Sequence, residues 1–297
     1  MVNLKNMSTE QANIRTTNLD SMTILEALRV MNEEDAKVAE SIKDELLHIE
    51  KAVKLVVAAL KNGGRIIYMG AGTSGRLGLL DAVECPPTFG TDPEKVVGLI
   101  AGSHKAFGKA VEGAEDSENM GVEDLKNLNL CSTDIVIGIA ASGRTPYVIG
   151  GLRYAQKVGC KTVGIACNKS SEVGSIADIA IEPVVGPEVL TGSTRLKAGT
   201  AQKMVLNMIS TISMVGIGKV YKNYMVDVQQ TNKKLQSRAI NIVKNATEVD
   251  EGTAVKKLEE AKGSVKLAIT MILLECDLNT AKERLKKSNG HVRKTLV

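Results

Sequence analysis

Apolar residues repeat along this chain with two different rhythms. Between Ser21 and about Asn62 the period is helical. Ile24, Leu28 and Met31 fall on one helix face, and Val53, Val56, Val57 and Leu60 repeat the spacing further on. Asn62-Gly63-Gly64 then reads as a helix stop. The next stretch has short unbroken apolar runs, each opening into small polar residues. RIIYM (65–69) opens into GAGTSGR, VVGLI (96–100) into AGS, DIVIGIA (134–140) into ASGRTP, and KTVGIAC (161–167) into NKSS. ADIAIEPVV (177–185) supplies a fifth run. Unbroken runs, rather than alternating ones, predict strands covered on both faces. Helical segments are expected between them at about 75–84, 105–128 in two pieces, 146–158 and 171–176. Strand–helix alternation at this spacing predicts an α/β fold with a doubly wound parallel sheet.

From about Ser193 to Lys219 the pattern is again that of a long amphipathic helix. Four further helices are expected at 233–245, 251–261, 265–275 and 278–287. The expected organisation is an N-terminal segment with helices (1–54), a central domain (55–218) and a small C-terminal helical subdomain (219–297). The last reads as a stabilising or dimer-forming appendage. Residues 1–20 are polar and read as a surface loop or an arm that reaches a partner.

Composition narrows the function classes. Of 297 residues, 43% are hydrophobic and 24% charged, as in ordinary globular proteins. Lys+Arg is 38 and Asp+Glu is 34, a net charge of 38 − 34 = +4. With five Tyr, two Phe and no Trp, there is no basic stripe interleaved with aromatic platforms for nucleic acid. The five cysteines form no CxxC pair, and only three histidines accompany them, so neither a disulfide framework nor a zinc site is expected. The opening residues carry no apolar leader, and LVVAAL and DIVIGIA are too short to span a bilayer. The expected compartment is the reducing cytoplasm.

The chemistry sits in two matched loops. GTSGR (72–76) follows the first strand and ASGRT (141–145) the third. Each places Ser-Gly-Arg where a strand ends and a helix begins. Unpaired N–H groups and the positive end of the helix dipole favour an anion there. Taken alone, one such loop is most simply a helix N-cap. Two copies, with Ser-Thr-Arg-x-Lys (193–197) as a third segment, point to a phosphorylated ligand. Residues 70–75 also satisfy GxGxxG. A dinucleotide site, however, needs an acidic residue at the end of the second strand, and that strand ends in Ala101-Gly102-Ser103. Neither is there a GxxxxGK[ST] loop for ATP. Glu84, ahead of a Pro86-Pro87 helix stop, and Glu112, Glu115 and Asp116 in EGAEDS are acid–base candidates, with His104 and Lys197 as rivals. Taken alone, each of these groups reads first as a solvated surface residue.

GAGTSGRLGLLDAVECPPTFG (70–90), VEGAEDS (111–117), GIAASGRTPYVIGGL (138–152), GSTRLKAGTAQK (192–203) and NIVKNAT (241–247) resemble the N-acetylmuramic acid 6-phosphate etherase family, within the wider sugar isomerase (SIS) group. The resemblance runs from about Asn18 to the C-terminus. It implies a cell-wall-recycling lyase in amino sugar catabolism. Such an enzyme cleaves the D-lactyl ether of N-acetylmuramate 6-phosphate to N-acetylglucosamine 6-phosphate and D-lactate. Carried over by motif, Glu84 is the general acid and Glu115 the second catalytic carboxylate. Ser74, Ser142, Thr145 and Ser193 are the implied phosphate contacts. No metal and no cofactor are implied, and a homodimer is. Two rival readings share the fold: a phosphosugar-sensing module like the glucokinase regulatory protein, and an aldose–ketose isomerase. The ECPP and EGAEDS contexts favour the etherase.

Overall fold

The structure is a computed structural model that describes residues 7–103, 105–109, 111–228 and 233–297. The chain clusters into two compact units. One comprises residues 1–83 and 94–210, the other 84–93 and 211–297.

The first unit carries a parallel sheet of five strands: β1 (Ile66–Gly70), β2 (Val96–Ile100), β3 (Ile135–Ile139), β4 (Lys161–Ile165) and β5 (Ile179–Ile181). Their order is β2-β1-β3-β4-β5, with Gly70 paired to Ile100 on one side and Ile139 on the other. Every residue of β1 and β3 is buried, as the unbroken apolar runs predict. Helices α1 (Ile24–Asp35), α2 (Lys37–Lys43) and α3 (Leu46–Lys61) precede the sheet. Next come α4 (Gly72–Phe89), α5 (Lys105–Gly108), α6 (Glu118–Asn127), α7 (Pro146–Val158), α8 (Glu172–Ile176) and α9 (Lys197–Gly216). Ile67, Met69 and Val136 pack in one core with Val148 and Leu152 of α7. Tyr68 points the other way, onto α4, where its hydroxyl donates to Asp81 (2.9 Å). Asn207 and Ser210 of α9 bond the same carboxylate at 2.6 and 3.1 Å. Helices thus cover both faces of the sheet.

Strand order reverses between β1 and β3. At such a switch point open α/β sheets bind ligands, at the carboxyl ends of the strands. The two Ser-Gly-Arg loops follow those two strands.

Two local readings are corrected. Helix α4 starts at Gly72 and runs through Pro86 and Pro87 to Phe89, rather than stopping after Glu84. Proline's fixed φ is itself helical, and what it removes is the N–H meant for the carbonyl four residues back. The carbonyls of Ala82 and Val83 lose those donors, and the boundary between units falls after Val83. The helical stretch 21–62 is divided into α1, α2 and α3, broken at Ala36 and at Asp44-Glu45. At the second break the Glu45 side chain turns inward, 1% exposed, to Lys169 and His48. Nor is the apolar stripe of α1 core in this chain, because Ile24 and Leu28 are 82% and 55% exposed.

Residues 8–21 form three single 3₁₀ turns. They are tied to the end of β4 through Ser8 and Thr9 on Asn168 (3.0 Å each) and beyond it through Asn13 on the Pro187 carbonyl.

The second unit contains the end of α4, the last turns of α9 and a hairpin of β6 (Val220–Tyr221) and β7 (Tyr224–Met225). Four helices follow: α10 (Lys233–Thr247), α11 (Glu251–Glu260), α12 (Val265–Leu273) and α13 (Leu278–Lys287). Their packing reveals a tandem repeat. TAVKKLEEAKGSVKLAI (253–269) and TAKERLKKSNGHVRKTL (280–296) align at a 27-residue offset (280 − 253). Asp250 and Asp277 cap α11 and α13 by accepting from the backbone N–H of Thr253 (3.0 Å) and Thr280 (2.8 Å). Left-handed pairs Lys262-Gly263 and Asn289-Gly290 end both helices. Leu258 and Leu285 occupy equivalent buried positions in one core with Val265 and Val292. Among the described residues no helix is long and apolar enough to cross a membrane.

Candidate active site

The first Ser-Gly-Arg loop turns tightly out of β1. A Cβ on Gly75 would lie 2.6 Å from the Gly70 carbonyl oxygen, so only glycine lets the first turn of α4 cross the strand end this closely. Beside it is a cleft of about 280 Å³ lined by Ala71, Gly72, Arg76, Ala101, Glu112 and Glu115. Glu115 comes from a 3₁₀ turn, Ala114–Asp116, that follows left-handed Gly113 and immediately precedes the Ser117 N-cap of α6. The expectation that EGAEDS interrupts two helical pieces is met. That interruption sets Glu115, exposed, on the cleft with the first loop. Arg76 donates to the carbonyls of Ala106 (2.7 Å) and Phe107 (2.9 Å) and so fastens α5 to the start of α4.

Ser74 is 7% exposed, and its hydroxyl donates to Gln202 Oε1 of α9 at 2.9 Å. Ser142 lies on a different cleft, of about 450 Å³, with Arg144, Asn168, Lys169 and Ser171. Gly143 (φ 74°) has no room for a side chain, since a Cβ would sit 2.3 Å from Ser171 Cβ. Ser142 Oγ accepts from the Arg144 N–H at 3.3 Å. Thr145 is the N-cap residue of α7, and its side chain makes no capping bond. The neighbouring loop is pinned by Glu182, which accepts from the N–H groups of Ser170 (2.8 Å) and Ser171 (2.9 Å). Burial pulls the Glu45 carboxyl upward in pKa, and its bonds to Lys169, the Glu182 backbone and His48 outweigh that and hold it below the usual carboxylate range.

Ser193 is half-buried just ahead of α9. The N-terminus of α9 is already filled. Glu188, fully buried, accepts from the N–H groups of Lys197 (3.0 Å) and Ala198 (2.9 Å). Burial pushes the Glu188 carboxyl up. Lys197 is no exposed acid–base group, because its ammonium is 2.7 Å from Glu34 with both side chains buried. Glu84 stands exposed on the part of α4 that belongs to the second unit. His104 lies outside the described residues. Among the described residues no group of three or more His, Cys, Asp and Glu side chains is placed to hold a metal ion.

Sequence reasoning missed Gln202, Glu188, Glu34 and Asp81. Glu34 acts on Lys197, 163 positions away, and Glu188 on backbone N–H groups 9 and 10 positions on, so no helix or strand spacing announces either. Gln202 stood inside the quoted GTAQK motif, without its link to Ser74.

Comparison with known proteins fixes the family. Residues 48–156 match the glucokinase regulatory protein N-terminal SIS domain family, and residues 111–212 match the SIS domain family. The N-acetylmuramic acid 6-phosphate etherase of Geobacillus sp. (strain WCH70) is 62% identical over 293 residues, 99% of each chain. The chain belongs to the N-acetylmuramic acid 6-phosphate etherase family. The etherase of Bacillus cytotoxicus is 60% identical, covering 99% of this chain and 100% of its own. A Bacteroides fragilis structure described as a phosphosugar isomerase involved in capsule formation has a TM-score of 0.51 at 21% identity. It covers 65% of this chain and 91% of its own, a likeness of fold. As a family member the chain is an enzyme.

Proposed function

We infer that this chain cleaves the D-lactyl ether of N-acetylmuramic acid 6-phosphate, giving N-acetylglucosamine 6-phosphate and D-lactate. The observation that carries this reading is full-length similarity to etherases at 62% identity. Glu115 on the cleft beside the first Ser-Gly-Arg loop supports it.

An alkoxide is a poor leaving group, so the ether is broken by elimination. Opening of the sugar ring makes C1 an aldehyde and the C2 proton acidic. A carboxylate takes that proton. The electron pair forms the C2–C3 double bond as the C3–O bond breaks, and an acid protonates the departing lactate oxygen. Water then adds at C3, and a proton returns to C2. We assign the acid to Glu84 and the second carboxylate role to Glu115, on the motifs that hold them. Ser74, Ser142, Thr145 and Ser193 are assigned to the phosphate.

The test is product analysis in water enriched in oxygen-18 and deuterium. Unlabelled D-lactate, oxygen-18 at sugar C3 and deuterium at C2 are expected. Label in the lactate oxygen would refute C3–O cleavage. Glu84→Gln and Glu115→Gln should each lower kcat by about 10²–10⁴, and full activity in both would remove them from the mechanism.

The reading extends to a cytoplasmic homodimer. Five free cysteines suit a reducing compartment. Exposed Ile24, Leu25 and Leu28 on α1 offer an apolar face for a second copy. Light scattering on the purified protein checks the mass.

A further inference from the structure

The cleft beside the first Ser-Gly-Arg loop holds a guanidinium that no carboxylate neutralises. Arg76 lines it together with Glu112 and Glu115, yet among the described residues it forms no ion pair. Its bonds go to main-chain carbonyls instead. Nε donates to Phe107 at 2.9 Å and Nη2 to Ala106 at 2.7 Å. Those two N–H groups lie on one edge of the planar fork. The other end, where Nη1 and Nη2 stand side by side, keeps unspent donors, and two parallel N–H groups match the oxygens of a carboxylate. The side chain is half-buried and already held by backbone, so little rotamer freedom is left to lose when an anion arrives.

N-acetylmuramic acid 6-phosphate carries two anions. The phosphate is on C6. The lactyl carboxylate hangs from the C3 oxygen, beside the carbon that loses its proton. None of Ser74, Ser142, Thr145 and Ser193, assigned to the phosphate, lines this cleft, whereas Glu115 does. A cation that shares the cleft with Glu115 therefore belongs with the C3 end of the sugar. The cleft also presents two carboxylates of its own, so a third enters against repulsion unless a cation receives it. Arg76 is the one cationic side chain among the described residues that line it.

We propose that Arg76 receives the lactyl carboxylate through its Nη1–Nη2 edge and makes the site specific for an ether that carries a carboxylate. This rests on reading the substrate as N-acetylmuramic acid 6-phosphate. Arg76 is a binding and specificity residue. Its guanidinium stays charged throughout and takes no part in the proton transfers. It holds the lactyl group while the C3–O electron pair departs with the lactate oxygen. N-acetylglucosamine 6-phosphate, the sugar product, leaves the fork nothing to hold, so affinity falls once the ether is cut.

The test compares two substrates in the full chain: N-acetylmuramic acid 6-phosphate, and the same sugar phosphate with its lactyl carboxyl converted to the carboxamide. The readout is KM and kcat for release of D-lactate or D-lactamide. In the unaltered protein KM should be about 10–100-fold higher for the amide, the scale of hydrogen bonds between charged groups. Arg76→Met should raise KM for the acid by about 10–100-fold, with kcat within about threefold. The variant should then treat acid and amide alike, within about twofold. Its inhibition constant for N-acetylglucosamine 6-phosphate should stay within about twofold of the unaltered protein's. An Arg76 that only ties α5 to α4 would weaken both substrates equally, and a variant that still discriminates between them overturns the proposal. An inhibition constant that rises in step with KM puts the guanidinium on the phosphate and overturns it as well. If Arg76→Met does not fold, Arg76→Lys, which keeps the charge without the fork, carries the same comparison. Its discrimination should fall at least about threefold, and full discrimination overturns the proposal. Absence of any release by the unaltered protein would refute the substrate reading itself, and the proposal with it.

Discussion

Replacing Glu34 with Gln should destabilise the first unit more than any other single loss of charge in it. The carboxylate lies 2.7 Å from Lys197, 2.6 Å from Lys37 and 3.1 Å from Arg15. Burial drives its pKa upward, but bonds from Lys197, Lys37 and Arg15 overcome that and hold it at about 2. A fall from the ordinary value of 4.5 is worth about 3 kcal/mol of stability. Lys197 is 1% exposed, and Glu34 is its one ion-pair partner among the described residues. Glu34→Gln therefore strands a buried ammonium, at a cost of about 3–5 kcal/mol. Lys197→Met should cost less, since Glu34 keeps Lys37 and Arg15. The assay is urea unfolding followed by circular dichroism, across pH. A carboxyl whose pKa is depressed by folding contributes fully above its unfolded value and loses that contribution as pH falls through the folded one. The gap between wild type and Glu34→Gln should be level from about pH 5 to 8 and close toward pH 2. The reasoning is refuted if Glu34→Gln lies within about 1 kcal/mol of wild type, if Lys197→Met costs more, or if the gap widens in acid.

Three further outcomes follow from packing and burial. Asp134 accepts from Arg65 at its backbone N (2.9 Å) and Nη2 (2.7 Å) and from the Cys131 N–H (3.1 Å), so Asp134→Asn should cost about 2–4 kcal/mol in the same urea assay. Wild-type stability there would mean that this corner is held otherwise. A Cβ on Gly121 would lie 2.1 Å from the Tyr147 carbonyl oxygen, so Gly121→Ala should force α6 off α7, lowering stability by about 3 kcal/mol and lactate release with it. An unchanged melting temperature would refute that packing. Burial pushes the thiols of Cys160 and Cys167 up to about 12, while Cys131 is exposed. A disulfide reagent at pH 8 should therefore label Cys131 first, and early labelling of Cys167, found by peptide mapping, would contradict its burial.

What the sequence discloses here is what neighbours in the chain decide. The strands are legible because burial on both faces leaves a continuous apolar run, as in IIYMG and IVIGI. The site edge is legible because Ser-Gly-Arg recurs after two strands. Where sequence reasoning fails, the deciding partner is remote. Pro86 and Pro87 read as a stop from local rules, yet each costs one hydrogen bond and leaves φ helical, so α4 continues to Phe89. The breaks at Ala36 and Asp44-Glu45 cannot be read from the apolar period, because Glu34 and Glu45 turn inward to Lys197 and Lys169, more than a hundred positions away. The tandem repeat escapes a search for apolar rhythm because its halves share caps and left-handed turns more than composition. The same division runs through the site. The phosphate loops are local, but the group that orients Ser74 comes from Gln202, 128 positions along the chain. In a parallel sheet every connection must return to the same edge, so residues that meet there are necessarily far apart in sequence. Loop motifs can therefore announce a ligand, while the side chains that prepare those loops for it become visible only in the fold.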